Sequence, residues 1–136
     1  MSNIDIREMS RKELNALSTS LNSQLNQIRD ELGQRRLKEM KENIGKYYID
    51  RDGGYYKILG VEKPKLTMLK TIYPDRYYVA YIPCDIKEHE EGTLNPIEFY
   101  NEQSTITTYK EVSKNDFLNA LDERLKELRN YFETID

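Results

Sequence analysis

Gly45-Lys46-Tyr47-Tyr48-Ile49-Asp50-Arg51-Asp52-Gly53-Gly54-Tyr55-Tyr56-Lys57-Ile58-Leu59-Gly60-Val61 reads as a single β-hairpin. Its strands, Lys46–Arg51 and Tyr55–Val61, are rich in β-branched and aromatic residues and flank Asp52-Gly53-Gly54. Asp-Gly is a strong hairpin signal because both residues tolerate the positive φ that a tight turn requires. Successive strand residues face opposite sides. Tyr56, Ile58 and Gly60 therefore share one face, and Tyr55, Lys57, Leu59 and Val61 the other. Only the second face carries a charge, so the Tyr56–Ile58 face is expected to point inward, with Tyr55 and Lys57 outward.

Working outward from the hairpin, residues 45–112 continue as strands. Leu66–Tyr73 and Tyr77–Pro83 flank Pro74-Asp75-Arg76, where Pro and Asp suit a type I turn. Ile97–Tyr100 and Thr105–Glu111 flank Asn101-Glu102-Gln103, while Asp85–Asn95 shows no apolar period and reads as an exposed loop. Five or six short antiparallel strands in this length are expected to form a small barrel or bent sheet of SH3-like or OB-like size.

A helix is expected on each side of this domain. Ser10-Arg11-Lys12-Glu13 is a capping box, with Met9 and Leu14 as its hydrophobic staple. Leu14, Leu17, Leu21, Leu25, Ile28 and Leu32 then recur every three or four residues as one narrow stripe. Gly33 interrupts it, and the register moves to Leu37, Met40 and Ile44 before Gly45, which sits where a left-handed C-cap residue belongs. A helix over residues 10–44 is near 50 Å long at ~1.5 Å per residue, too long for the remaining chain to cover, so a partner helix is implied. In the last helix, residues 113–136, Ser113 and Asp116 form a second capping box. Leu118, Leu121, Leu125, Leu128 and Phe132 follow at heptad spacing. Residues 1–9 are expected to be a flexible lead-in. The fold class is thus α+β: long coiled-coil-type helix, small β domain over 45–112, C-terminal heptad helix.

Composition narrows the function. The 136 residues include 11 tyrosines, one cysteine and one histidine. No apolar run approaches the ~20 residues of a membrane span, and the first residues lack a signal-peptide pattern; no membrane partner is expected. A lone Cys84 allows no internal disulfide, and no Asn-x-Ser/Thr sequon occurs, which fits a reducing, cytoplasmic setting. Net charge is −3, yet residues 1–84 hold 15 basic and 11 acidic groups against 6 and 13 in residues 85–136. Such asymmetry suits either solvated faces or head-to-tail complementarity between copies.

Chemistry-bearing motifs are absent. Cys84 and His89 cannot alone build a Cys/His zinc site. Asp50-Arg51-Asp52-Gly53 begins like a calcium loop, but its glycine comes early and Val61 occupies the place of the bidentate Glu. No nucleophile elbow, P-loop or dinucleotide fingerprint occurs. No catalytic residue, metal or cofactor is expected, and the chain reads as non-enzymatic. The tyrosine doublets remain. Outward rings interleaved with basic groups — Tyr47, Arg51, Tyr55, Lys57, Arg76 and Tyr77 — can anchor a protein partner or, alternatively, stack a nucleic acid or nucleotide. A sequence pI near 5.4 favours the protein.

Ile44-Gly45-Lys46-Tyr47-Tyr48, followed by Tyr55-Tyr56-Lys57-Ile58-Leu59 and a closing Phe117-Leu118-Asn119-Ala120-Leu121, resembles a pattern in small uncharacterised phage and mobile-element proteins. The resemblance implies an accessory protein, including one that binds and blocks a host defence protein, and it assigns no functional residue. The expectation is a self-associating protein-binding module, with a homodimer held by Leu14, Leu17, Leu21, Leu25, Ile28 and Leu32 together with Leu118, Leu121, Leu125, Leu128 and Phe132.

Overall fold

The computed structural model describes residues 5–85 and 96–134. After a short 3₁₀ turn, Ile6–Glu8, helix α1 runs from Arg11 to Glu42. Its start is the capping box read from the sequence: Ser10 Oγ accepts from the Glu13 amide at 3.2 Å, and Glu13 Oε1 accepts from the Ser10 amide at 3.4 Å. It ends at Asn43, and Gly45 takes φ +91°, a left-handed value that glycine adopts without strain. The Gly45 amide then donates to the Ile58 carbonyl at 2.8 Å, tying the helix exit to the sheet.

The strands are β1 (Tyr47–Ile49), β2 (Tyr55–Val61), β3 (Lys65–Leu66), β4 (Thr71–Ile72), β5 (Arg76–Ile82), β6 (Glu98–Gln103) and β7 (Lys110–Val112). The decisive hairpin forms with Ile49 opposite Tyr55 and Tyr47 opposite Lys57. The turn is not the tight Asp52-Gly53 pair expected but spans Asp50–Gly54, since the first strand stops at Ile49 and Asp52 keeps a negative φ; Asp50 organises it. Asp50 Oδ1 accepts from the Asp52 and Gly54 amides, Asp50 Oδ2 accepts from the Tyr56 hydroxyl at 3.1 Å, and Gly53 supplies a φ of +89°. A second 3₁₀ turn, Ser104–Thr108, precedes β7. Helix α2, Lys114–Thr134, follows the expected Ser113–Asp116 capping pair.

The five-stranded antiparallel sheet has the order β6-β5-β2-β1-β7, and β3 pairs only with β4. Each face has its own core. On one, Met40 at the end of α1 and Ile106 of the 3₁₀ turn cover Tyr48, Tyr56, Ile58, Tyr77 and Val79. On the other, Phe117 of α2 covers Ala80 and Ile82, with Tyr47, Tyr55, Ala120 and Leu121 packed alongside. The Tyr56–Ile58 face is buried as the alternation predicts. A bulge between Ile58 and Gly60 shifts the parity, so Val61 joins the Tyr56 core instead of the opposite face.

Among the described residues no closed barrel is found: β6 and β7 are the two edges of an open sheet. The physical reason is coverage. Closing a sheet would make it cover its own inner side, whereas here one face is covered by the end of α1 with the 3₁₀ turn and the other by α2. Leu66–Tyr73, expected as one strand, instead folds back on itself. Thr67 Oγ1 donates to the Lys70 carbonyl at 2.7 Å, and the Thr67 amide donates to the same oxygen at 3.0 Å. Thr105–Glu111 likewise splits into the 3₁₀ turn and the short β7.

Candidate functional site

Helix α1 presents two different faces along its length. From Leu32 to Leu37 the apolar spacing is five residues, which at 3.6 per turn rotates the stripe by about 140°. The terminal face, carrying Gly33, Leu37 and Met40, meets the rest of the fold. There a Cβ on Gly33 would lie 2.1 Å from the Tyr73 ring, so glycine permits the approach. The Tyr73 hydroxyl donates to Asp30 Oδ1 at 2.6 Å, and this bond raises the phenol pKa. Asn43 donates to the Tyr77 hydroxyl at 3.1 Å, and Arg36 to Ser104 Oγ at 3.3 Å.

The earlier stripe is exposed over most of its length. Leu14 and Leu17 are half-buried, while Leu21, Leu25, Ile28 and Leu32 are 54, 43, 57 and 61% exposed. Four large aliphatic side chains thus line one solvent-facing side of the helix.

The C-terminal seam is divided. Phe117, Leu121, Arg124 and Leu128 are buried or half-buried, whereas Leu118, Leu125 and Phe132 face solvent. Leu121 packs into the second core, so α2 spends one side of its seam on its own sheet.

The six tyrosine and basic residues singled out in the sequence do not share one open face. Tyr47 and Tyr55 lie under α2, with the Tyr47 ring centroid 5.1 Å from that of Phe117. Lys57 lies over the Tyr47 ring at 5.2 Å. Tyr77 is buried on the opposite side of the sheet, and Arg51 and Arg76 are exposed at different ends of the strands. Beside Tyr56, Tyr81 stacks at 4.6 Å and Tyr109 tilts at 5.7 Å. Burial pushes the Tyr56 phenol well above its ordinary range, reinforced by Tyr100 and by the hydrogen bond to Asp50. Burial does the same for Tyr100, whose hydroxyl donates to Glu102 at 2.7 Å. These phenols stay neutral donors at ordinary pH and act as scaffold.

Two features escaped the sequence reading. At the β3–β4 tip, Leu66, Met68 and Leu69 are 85, 102 and 93% exposed. The flanking Lys63, Lys65 and Lys70, with no acid between them, were the available signal. At the other end of the sheet, a cleft of about 360 Å³ opens between α2 and the ends of β2 and β5, lined in part by Tyr55, Ile82, Ala120, Asp116, Glu123 and Arg124. Arg124 is 3% exposed. Its Nη2 donates to the Pro83 carbonyl, its Nε stands 3.7 Å from Glu127, and Nε and Nη1 have no hydrogen-bond partner.

No group of three or more His, Cys, Asp and Glu side chains among the described residues could hold a metal ion, and no described helix is long and apolar enough to cross a membrane. No protein-family model, curated protein or solved structure matches the chain.

Proposed function

We propose that the chain is a non-enzymatic, self-associating protein-binding module whose copies pair through the Leu21–Leu25–Ile28–Leu32 face of α1. The exposed stripe carries this reading, because the same helix buries a separate face against its own sheet and leaves this one without a cover. Burying a Leu or Ile fully is worth roughly 1.5–3 kcal/mol, so each half-exposed position returns about 1 kcal/mol on pairing. Four positions from each of two chains give roughly 8 kcal/mol, within the ~4–15 kcal/mol that association costs. The stripe alone therefore leaves little net affinity, and the dimer also draws on Leu14 and Leu17 and on Leu118, Leu125 and Phe132 where α2 joins the bundle.

The resemblance to phage and mobile-element accessory proteins supports a host protein, including a defence component, as the further partner. The nucleotide or nucleic-acid alternative requires stacking rings and cations on one open surface, and Tyr47, Tyr55 and Tyr77 are not so arranged. The stripe is tested with Leu25→Asp combined with Ile28→Asp. Both sites are solvent-facing, so circular dichroism should show an unchanged fold while light scattering shows loss of the dimer. Retention of the dimer would refute the α1 interface.

A further inference from the structure

The hairpin tip and the Arg124 cleft lie at opposite ends of the molecule and are complementary. The tip leads through Tyr73-Pro74-Asp75 into the start of β5 at Arg76, while the cleft opens where β5 ends, at Ile82 and Pro83. The seven residues of β5 separate the two by about 20 Å at ~3.3 Å per residue. The tip of one chain therefore does not serve its own cleft.

We propose that the Leu66–Lys70 tip of one copy inserts into the Arg124 cleft of a second copy, linking chains head to tail. Two independent features support that occupant. The tip exposes Leu66, Met68 and Leu69 almost completely, and the cleft offers an apolar floor in Tyr55, Ile82 and Ala120. The tip segment carries Lys63, Lys65 and Lys70, with Glu62 3.5 Å from Lys65, while the cleft is lined by Asp116, Glu123 and Glu127 against Arg124, with Lys126 3.5 Å from Glu123 at its edge. The Arg124 guanidinium is buried, donates to the Pro83 carbonyl and stands 3.7 Å from Glu127, so it is engaged within its own chain. A free carboxylate ligand is disfavoured by the three acidic groups around the same cleft, whereas a basic, apolar chain segment suits both their charge and the floor.

The contact joins two different patches, so it is heterologous and closes into a ring or extends as a filament. It is distinct from the two-fold α1 pairing and adds species larger than the α1 dimer.

Charge reversal on each side tests it. One full-length variant carries Lys65→Glu with Lys70→Glu, and another carries Asn119→Lys with Glu123→Lys; all four side chains are exposed. By sedimentation velocity the unaltered chain should form species beyond the α1 dimer as concentration rises, and each variant alone should need at least tenfold more protein to do so. An equimolar mixture should recover them, because each tip then meets a cleft of opposite charge, and one chain bearing all four substitutions should recover them too. Unchanged thermal melts would show that the folds are intact. Failure of the unaltered chain to grow past the dimer, or failure of the mixture to recover growth, would overturn the proposal. So would pelleting with phosphatidylserine-containing vesicles that Lys65→Glu/Lys70→Glu abolishes while self-association persists, since the tip would then belong to a lipid surface.

Discussion

Gly33→Ala should destabilise this protein even though the same change stabilises most helices. Replacing an interior helical glycine by alanine is worth about 1 kcal/mol in propensity. Here the new methyl carbon would stand 2.1 Å from Cδ2 and 2.6 Å from Cγ of Tyr73. The whole ring must move, including the atom nearest its backbone, and its hydroxyl must leave Asp30. Overpacking of this kind costs roughly 1–3 kcal/mol, so the net is a loss of up to about 2 kcal/mol. A double-mutant cycle separates the effects. In a Tyr73→Ala background the clash disappears, and Gly33→Ala should then stabilise by the full ~1 kcal/mol of propensity. The assay is urea denaturation of the four chains followed by far-ultraviolet circular dichroism. The expected coupling, roughly 1–3 kcal/mol, lies in the range seen for residues in contact. If Gly33→Ala stabilises equally in both backgrounds, the β3–β4 segment does not pack on α1 and the reasoning fails.

Two further predictions concern the sheet. Tyr56→Ala empties a site buried among Tyr81, Tyr109 and Asp50, and should cost about 3–5 kcal/mol; Tyr55→Ala, half-buried beneath α2, should cost about half as much. Thermal melts decide, and equal losses would contradict the assignment of faces. The phenols of Tyr48, Tyr56, Tyr81 and Tyr100 are all raised by burial from an ordinary 10.0, so the folded state favours their protonated forms. Their contribution is complete below about pH 10 and is lost as pH climbs toward their folded values. The urea midpoint should therefore fall steeply above pH 10, and less steeply in Tyr56→Phe; equal slopes would place Tyr56 outside this effect.

What the sequence disclosed was local. The Ser10–Glu13 and Ser113–Asp116 boxes depend on residues within four positions of one another and form as read, and the hairpin forms where expected, although its turn spans Asp50–Gly54 with a positive φ at Gly53 alone instead of a tight Asp52-Gly53 pair. The α1 stripe was equally legible, since period alone reveals an apolar face. Closure of the sheet was not, because it depends on where Phe117 and Met40 land, and both contacts join distant segments. The α2 seam was ambiguous for a related reason. Two heptad tracks run along it, and the one that faces the sheet includes Arg124, a residue that is almost never buried without a partner. The tip was hidden because Leu66–Tyr73 contains no Gly, Asn or internal Pro to announce a turn, and Thr67 closes it with its own side chain. Gly33, which looked like a flaw in the helix, is the point at which Tyr73 docks.

The most direct test is the mass of the Lys65→Glu/Lys70→Glu chain in solution, where tip insertion is blocked and only the α1 face can act. Sedimentation equilibrium at tens of micromolar should return twice the 16.2 kDa of a single chain. It should return 16.2 kDa once Leu25→Asp and Ile28→Asp are added. A mass of 16.2 kDa at every concentration before those two substitutions, or a dimer that survives them, would contradict self-association through α1.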